Sequence, residues 1–130
     1  MIQPKELRIG NYISRLDLGN EEIRVEQVLA LYERVKTTGA FDTICEFSDI
    51  KPISLTKEWL INFGFEANDY NDEFVIIKGA AVYTLDCEYT DKGVFNFVIG
   101  EDCIHGDIKH VHQLQNLYFA LTGEELILHK

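Results

Sequence analysis

Alternating apolar and polar positions dominate the first 53 residues of the chain and predict short β-strands. Residues 11–16 are predicted as a short strand after Gly10, and alternation is found over residues 42–47 and at the beginning of residues 23–33. A turn at residues 17–20, which contains glycine and asparagine, separates residues 11–16 from residues 23–33. Several short antiparallel strands in so few residues predict a small antiparallel β-sheet or an SH3-like barrel.

Residues 23–33 allow two interpretations. Ile23 and Val25 alternate with charged neighbours, but residues 28–32 form a continuous apolar run. The Glu, Gln, Leu and Ala residues of this segment favour a helix. The β-type residues that flank it favour a long bent strand, which is our preferred interpretation, and the helix remains the alternative.

Residues 55–65 carry the clearest helix signals in the chain. Thr56 is a suitable N-cap, and Leu55 and Leu60 occupy the two positions of a hydrophobic staple. Gly64 is the expected C′ residue, after which Phe65 can fold back on Leu60. We therefore predict a helix of about two turns between residues 56 and 64.

The remainder predicts an antiparallel meander followed by a C-terminal helix. A short apolar run at residues 74–77 and alternation over residues 82–89 and 94–99, separated by turn residues, predict three strands. Residues 110–121 have helical spacing and end at Thr122-Gly123. The chain is thus predicted to be α+β, with a β subdomain at residues 1–53 and an α-β-β-β-α subdomain at residues 54–130. The two subdomains either pack together as a single domain or fold separately.

The predicted C-terminal helix carries no charge. No Lys, Arg, Asp or Glu occurs from Val111 to Gly123, although 26% of the chain is charged. Amides, a histidine and a phenylalanine replace the usual Lys and Glu, and such a face costs little to desolvate when its amides find partners. We predict that it is covered, either by the N-terminal sheet or by another chain through self-association or an unknown protein partner. The predicted interaction face consists of His112, Gln113, Gln115, Asn116 and Phe119.

Charge excludes one class of function. The net charge is −10, and residues 54–130 hold five Lys and thirteen Asp/Glu, against seven Lys/Arg and nine Asp/Glu in residues 1–53. An acidic surface repels phosphate backbones, which argues against direct nucleic-acid binding by the second half. The charge instead suits a basic partner, or it only keeps the protein soluble.

Apolar runs and cysteines indicate the compartment. No apolar run approaches the roughly 20 residues that cross a bilayer, and the N-terminus is polar, so we expect no membrane association. Cys45, Cys87 and Cys103 are odd in number and form no CxxC motif. A disulfide framework is therefore not expected, which favours the reducing cytoplasm.

One cluster of residue types could bind zinc. Cys103, His105, Asp107, His110 and His112 lie within ten residues of one another, and all are of zinc-binding types. Their spacing matches no established motif, and Gly106-Asp107 has the character of a turn or bulge. A small metal-dependent enzyme built on this cluster is therefore the alternative function, and we assign no catalytic residue and no cofactor.

A pair of acidic residues lies on one predicted strand. Asp86 and Glu88 are two residues apart and share a face of that strand. Such a pair could serve acid–base chemistry or bind a cation. It could equally be the solvated side of a sheet, which is the interpretation we prefer.

Three stretches carry a family resemblance. They are ELRIGNY at residues 6–12, IKPISLTKEWL with FGF at residues 50–65, and VHQLQNLYFALTGEEL at residues 111–126. Together they resemble a family of small proteins without an assigned activity, encoded by gut Bacteroidales bacteria and by their phages or prophages. The resemblance implies a mobile-element accessory protein and supplies no catalytic residue.

These observations favour a non-enzymatic phage or mobile-element accessory protein that acts by protein–protein contact. The uncharged helix face is the expected contact surface, and the acidic second half favours a basic partner. A more specific version is an acidic phage protein that occupies a host nucleic-acid-binding protein as a DNA mimic would.

Overall fold

Two antiparallel β-sheets and two α-helices make up the part of the chain that the computed structural model describes, residues 2, 6–29, 34–39, 43–68, 73–87, 94–99 and 102–128. The mixed α+β class is therefore as predicted. The chain divides into two units. The first comprises residues 1–53 and 110–125, and the second comprises residues 54–109 and 126–130.

The sheet of the first unit has five strands: β1 (Tyr12–Arg15), β2 (Glu21–Leu29), β3 (Arg34–Thr37), β4 (Ile44–Glu46) and β5 (Ile50–Lys51). They lie in the order β4-β3-β2-β1-β5, and every neighbouring pair is antiparallel. A 3-10 turn at Phe47–Asp49 precedes β5, which returns to pair with β1. The described strands of this unit thus form an antiparallel β-sheet, the first of the two predicted architectures.

Strand β2 settles the ambiguous segment as far as Leu29. Residues 23–29 are extended, as preferred from the sequence, whereas residues 30–33 lie outside the described part. Ile23 and Val25 point into the core, and the pairing with β3 shifts register between Val25 and Gln27. This bulge bends the strand, because one extra residue on one side of an antiparallel pair increases the local twist.

The core of the first unit is mostly aliphatic and contains the buried cation Arg15. The guanidinium of Arg15 donates to the carboxylate of Asp17 (Nε to Oδ1, 3.0 Å) and to the hydroxyl of Thr37 (3.0 Å). The hydrogen bond from Arg15 to the Asp17 carboxylate holds the pKa of Asp17 below its ordinary value. The apolar residues of this core are Ile2, Leu7, Ile13, Ile23, Val25, Val35, Cys45, Phe47 and Ile50.

The sheet of the second unit also has five strands: β6 (Glu66–Asn68), β7 (Glu73–Lys78), β8 (Ala81–Cys87), β9 (Phe95–Ile99) and β10 (Asp102–Ile108). Their order is β10-β9-β8-β7-β6, a continuous antiparallel meander. Only β7, β8 and β9 were predicted. β6 is three residues long. β10 has two register shifts and a positive φ of 57° at Asp107, so of the two interpretations of Gly106-Asp107, a turn or a bulge, the structure shows a bulge within a strand.

The short helix α1 (Lys57–Asn62) begins and ends at the predicted residues. The hydroxyl of Thr56 accepts a hydrogen bond from the Trp59 backbone N–H (3.4 Å). At the other end, the Phe65 N–H donates to the Leu60 carbonyl and the Gly64 N–H donates to the Ile61 carbonyl (both 3.0 Å). These two bonds are those of a Schellman motif, and Gly64 has the positive φ (99°) that such an ending requires.

Helix α2 (Val111–Thr122) belongs to the first unit. This grouping differs from the predicted subdomain of residues 54–130. The prediction placed the helix with the residues that precede it in the chain, whereas its hydrogen bonds join it to the N-terminal residues. The Val111 N–H, for example, donates to the Ile53 carbonyl (2.9 Å).

Neither α1 nor α2, the two α-helices of the described residues, is long and apolar enough to cross a bilayer.

Candidate interaction surface

Gln115 is buried in the first unit, and its amide is paired on both sides. Its Oε1 accepts a hydrogen bond from the Tyr12 backbone N–H (2.8 Å), and its Nε2 donates to the Gly10 carbonyl (3.0 Å). The side chain thus satisfies one donor and one acceptor of the backbone, as a neighbouring β-strand would. This pairing explains why a glutamine occupies a fully buried position of α2.

Asn116, the next residue of α2, also pairs with the N-terminal segment. Its Oδ1 accepts hydrogen bonds from Arg8 Nε and from Asn11 Nδ2 (both 2.9 Å). Its Nδ2 donates to the Glu6 carbonyl (2.7 Å). Residues 6–12, which we call the N-terminal segment, are therefore held against the helix by two consecutive amides.

Arg8 is the cation of this contact. Its guanidinium donates to both carboxylate oxygens of Glu125 (2.6 and 3.3 Å) and to the Gln115 carbonyl (3.1 Å). It also lies over the ring of Phe119, 4.3 Å from the centroid. A planar guanidinium can make these contacts simultaneously, whereas an ammonium group cannot.

Gly10 allows the N-terminal segment to turn where it contacts α2. Its φ is +95°, a conformation that residues with a Cβ rarely adopt. A Cβ at this position would also lie 3.2 Å from Nη2 of Arg24. The glycine is followed by Asn11, whose Oδ1 accepts from the Arg8 N–H (2.6 Å) and closes the turn.

The side chain of His112 is buried. Its Nδ1 has no hydrogen-bond partner among the described residues. Its ring is nearly parallel to that of His110, with centroids 5.8 Å apart. Burial lowers the pKa of His112 to about 4, and the neighbouring His110 acts in the same direction while Glu6 opposes it. His112 is therefore neutral at pH 7.

The part of α2 that remains at the surface is uncharged. Phe119 and Leu121 are each 39% exposed, and Gln113 and Ala120 are exposed as well. We call these four residues the α2 outer face. The side chain of Gln113 accepts from the His110 N–H (3.0 Å) and so caps the first turn.

The predicted interaction face is thus divided by the structure. His112 and Gln115 are buried, and Asn116 is half-buried and hydrogen bonded to the N-terminal segment. Gln113 and Phe119 remain at the surface. The sequence allowed two covers for this helix, the N-terminal sheet or another chain. In the structure, N-terminal residues cover one side of the helix.

The partners Arg8, Asn11 and Glu125 were not identified from the sequence. One signal was present: a buried helix side with two amides requires polar partners. Arg8 and Asn11 flank the glycine of a polar turn, but they lie more than 100 residues from the helix.

The candidate metal ligands do not form a described site. Cys103 and Asp107 are exposed on β10, and His110 and His112 stack at the start of α2. The side chain of His105 lies outside the described part of the chain. Among the described residues, no three His, Cys, Asp or Glu side chains form a group that could hold a metal ion.

Comparisons with family models, with curated proteins and with solved structures found no match for this chain.

Proposed function

We propose that this protein is a non-enzymatic accessory protein of a phage or mobile element, and that it binds another protein through the α2 outer face. The observation that supports the proposal is the absence of charge along a helix whose outer side is exposed and partly apolar. The buried amides of α2 have partners within the chain. Their bonds do not account for the uncharged residues on the outer side.

The α2 outer face is suited to association on physical grounds. An uncharged surface has a small desolvation cost, and exposed Phe119 and Leu121 supply apolar area. Phe119 is held in place by the Arg8 guanidinium, so less side-chain entropy is lost when a partner binds. Aromatic residues are enriched in the cores of interfaces, whereas Lys and Glu are depleted there.

The expected partner is a different protein rather than a second copy. Two copies would each bring a net charge of −10 to the complex, which opposes self-association at low salt. We place the protein in the reducing cytoplasm, because Cys103 is an exposed free thiol.

The proposal is tested by capture from an extract of a Bacteroidales bacterium on the immobilised full chain. Ala120→Arg puts a charge at the centre of the α2 outer face and keeps a good helix former. Leu16→Arg, at an exposed apolar residue of the same unit outside the helix, is the matched control. We expect at least one protein to be retained by the wild type and by Leu16→Arg, and to be reduced about tenfold by Ala120→Arg.

Two results would contradict the proposal. One is that no captured protein distinguishes Ala120→Arg from the wild type. The other is a wild-type dimer in sedimentation equilibrium that Ala120→Arg dissociates, which would assign the α2 outer face to a second copy of the chain.

A further inference from the structure

The second sheet has one buried face and one exposed face. Phe74, Leu85 and Phe97 point to the buried side. On the opposite side, the strand register places Ile77 beside Val82 across β7 and β8, and these side chains are 66% and 43% exposed. We call this opposite side the open sheet face.

The next row of the open sheet face is half-buried and mostly apolar. Val75 on β7 pairs with Thr84 on β8, and Thr84 pairs with Val98 on β9. Together with Ile77 and Val82 they form a continuous stripe across three strands. Paired residues of neighbouring strands lie about 5 Å apart, so the stripe is one surface rather than scattered single residues.

A carboxylate pair borders the stripe. Glu73 on β7 lies directly opposite Asp86 on β8, and Asp86 lies opposite Asn96 on β9. Partial burial and the neighbouring carboxylate of Asp86 raise the pKa of Glu73. The Oδ1 of Asp86 is buried and has no hydrogen-bond partner among the described residues.

The three rows of the open sheet face contain no Lys or Arg at the described pairing positions. Among the described residues, neither Glu73 nor Asp86 forms an ion pair. Two adjacent carboxylates without a cation destabilise each other, and a cation placed between them would relieve the repulsion.

We propose that the open sheet face binds a protein segment that places an aliphatic or aromatic side chain on Ile77 and Val82 and a Lys or Arg at Glu73 and Asp86. Charge complementarity identifies this occupant. Residues 54–109 contain four Lys and eleven Asp/Glu, so a basic segment is attracted. A second copy of the chain would add like charge, and a nucleic acid would be repelled by the same carboxylates.

This surface lies on a different unit from the α2 outer face, and the inference does not depend on the proposed function. The test uses the full chain and a phage-displayed library of random dodecapeptides. Enriched peptides are then synthesised, and their affinities are measured by fluorescence anisotropy. We expect enriched peptides to combine a Lys or Arg with an aliphatic or aromatic residue, and to bind more weakly as salt increases.

Variants assign the binding to this surface. Ile77→Thr and Asp86→Asn are each expected to weaken binding about tenfold, the former by removing apolar area and the latter by removing the charge. The matched controls are Ile61→Thr and Glu58→Gln, at exposed residues of α1 in the same unit. Both are expected to leave the affinity unchanged, which excludes an effect of net charge or of general apolar exposure.

Several results would overturn the inference. They are no enrichment, enrichment of peptides without a basic residue, and affinities that Ile77→Thr and Asp86→Asn leave unchanged. A dimer in sedimentation equilibrium that Ile77→Thr dissociates would also overturn it, since the occupant would then be a second copy. None of these results affects the comparison of Ala120→Arg with Leu16→Arg, so failure here is distinguishable from failure of the proposed function.

Discussion

Single side chains explain why polar residues are buried in α2. The amide of Gln115 hydrogen bonds with the Gly10 carbonyl and with the Tyr12 N–H, as a neighbouring strand would, and the Gly10 carbonyl also accepts a longer bond from Arg24 Nε (3.4 Å). A glutamine in this role keeps both groups satisfied at little net energetic cost. The sequence indicates that the amide needs a partner, but it does not indicate which backbone groups, because they lie about 105 residues earlier.

Gln115→Leu should therefore destabilise the protein although it makes the helix more apolar. The Gly10 carbonyl and the Tyr12 N–H would lose a partner while the leucine keeps water out, at a cost of about 2 kcal/mol in the free energy of unfolding. Urea denaturation measures this change. The control is Ala120→Leu, which also adds apolar area at an exposed residue of the same helix, and where a change of less than about 0.5 kcal/mol is expected. Equal losses for the two variants would contradict the role assigned to Gln115.

His112 should make the stability depend on pH. Its pKa is about 4 in the folded protein, whereas an unfolded chain has the ordinary value near 6.5. Above pH 6.5 both states are neutral. As the pH falls from 6.5 to 4 only the unfolded state takes up the proton, so the free energy of unfolding should decrease by up to about 3 kcal/mol.

The measurement is urea denaturation at several pH values between 7 and 4.5, for the wild type and for His112→Leu. Because the raised pKa of Glu73 acts in the opposite direction as the pH falls, the difference between the two proteins is the relevant quantity. We expect the wild type to lose stability relative to the variant as the pH falls. Parallel pH profiles would show that His112 is not held neutral by burial.

Elements with clear local signals were predicted, whereas β6, β10 and the pairing between distant segments were not. Thr56 and Gly64 mark the ends of α1 because capping involves only nearby residues. Strand β10 was missed because its bulge at Gly106-Asp107 resembles a turn when its neighbour β9 is unknown. The contact between the N-terminal segment and α2 could not be predicted for the same reason, since it joins two elements at opposite ends of the chain.

Arg8 is expected to hold these two elements together. Arg8→Lys keeps the charge but loses the planar group that contacts Glu125, Asn116 and the Phe119 ring at once. We expect the free energy of unfolding to fall by about 1–2 kcal/mol. Arg34→Lys, at an exposed arginine of β3, is the control and should change it by less than about 0.5 kcal/mol. Indistinguishable variants would show that the guanidinium contacts contribute no net stability.

For the whole molecule, the main difference from the sequence prediction is the discontinuous first unit. Residues 110–125 group with residues 1–53, whereas sequence order suggested a C-terminal subdomain from residue 54 onward. Composition does not reveal such a return of the chain. Only specific pairs, such as Asn116 with Glu6 and Gln115 with Gly10, define it.

Hydrogen exchange should show this division. Val25→Ala creates a cavity in the core of the first unit, and Leu85→Ala does so in the second, at about 2–4 kcal/mol each. Since α2 belongs to the first unit, its amides should lose protection in Val25→Ala and retain it in Leu85→Ala. Mass spectrometry of peptides from residues 111–122 measures both. The reverse pattern would place α2 with the second unit.

The central claim is that α2 is fixed to the N-terminal segment on one side and offers its uncharged outer face to a protein partner. Site-specific photo-crosslinking in a Bacteroidales host tests it most directly, with benzoylphenylalanine at position 120 and, as the control, at position 16. We predict a discrete crosslinked product with another protein from position 120 and none from position 16. No product from position 120, or the same products from both positions, would contradict the account.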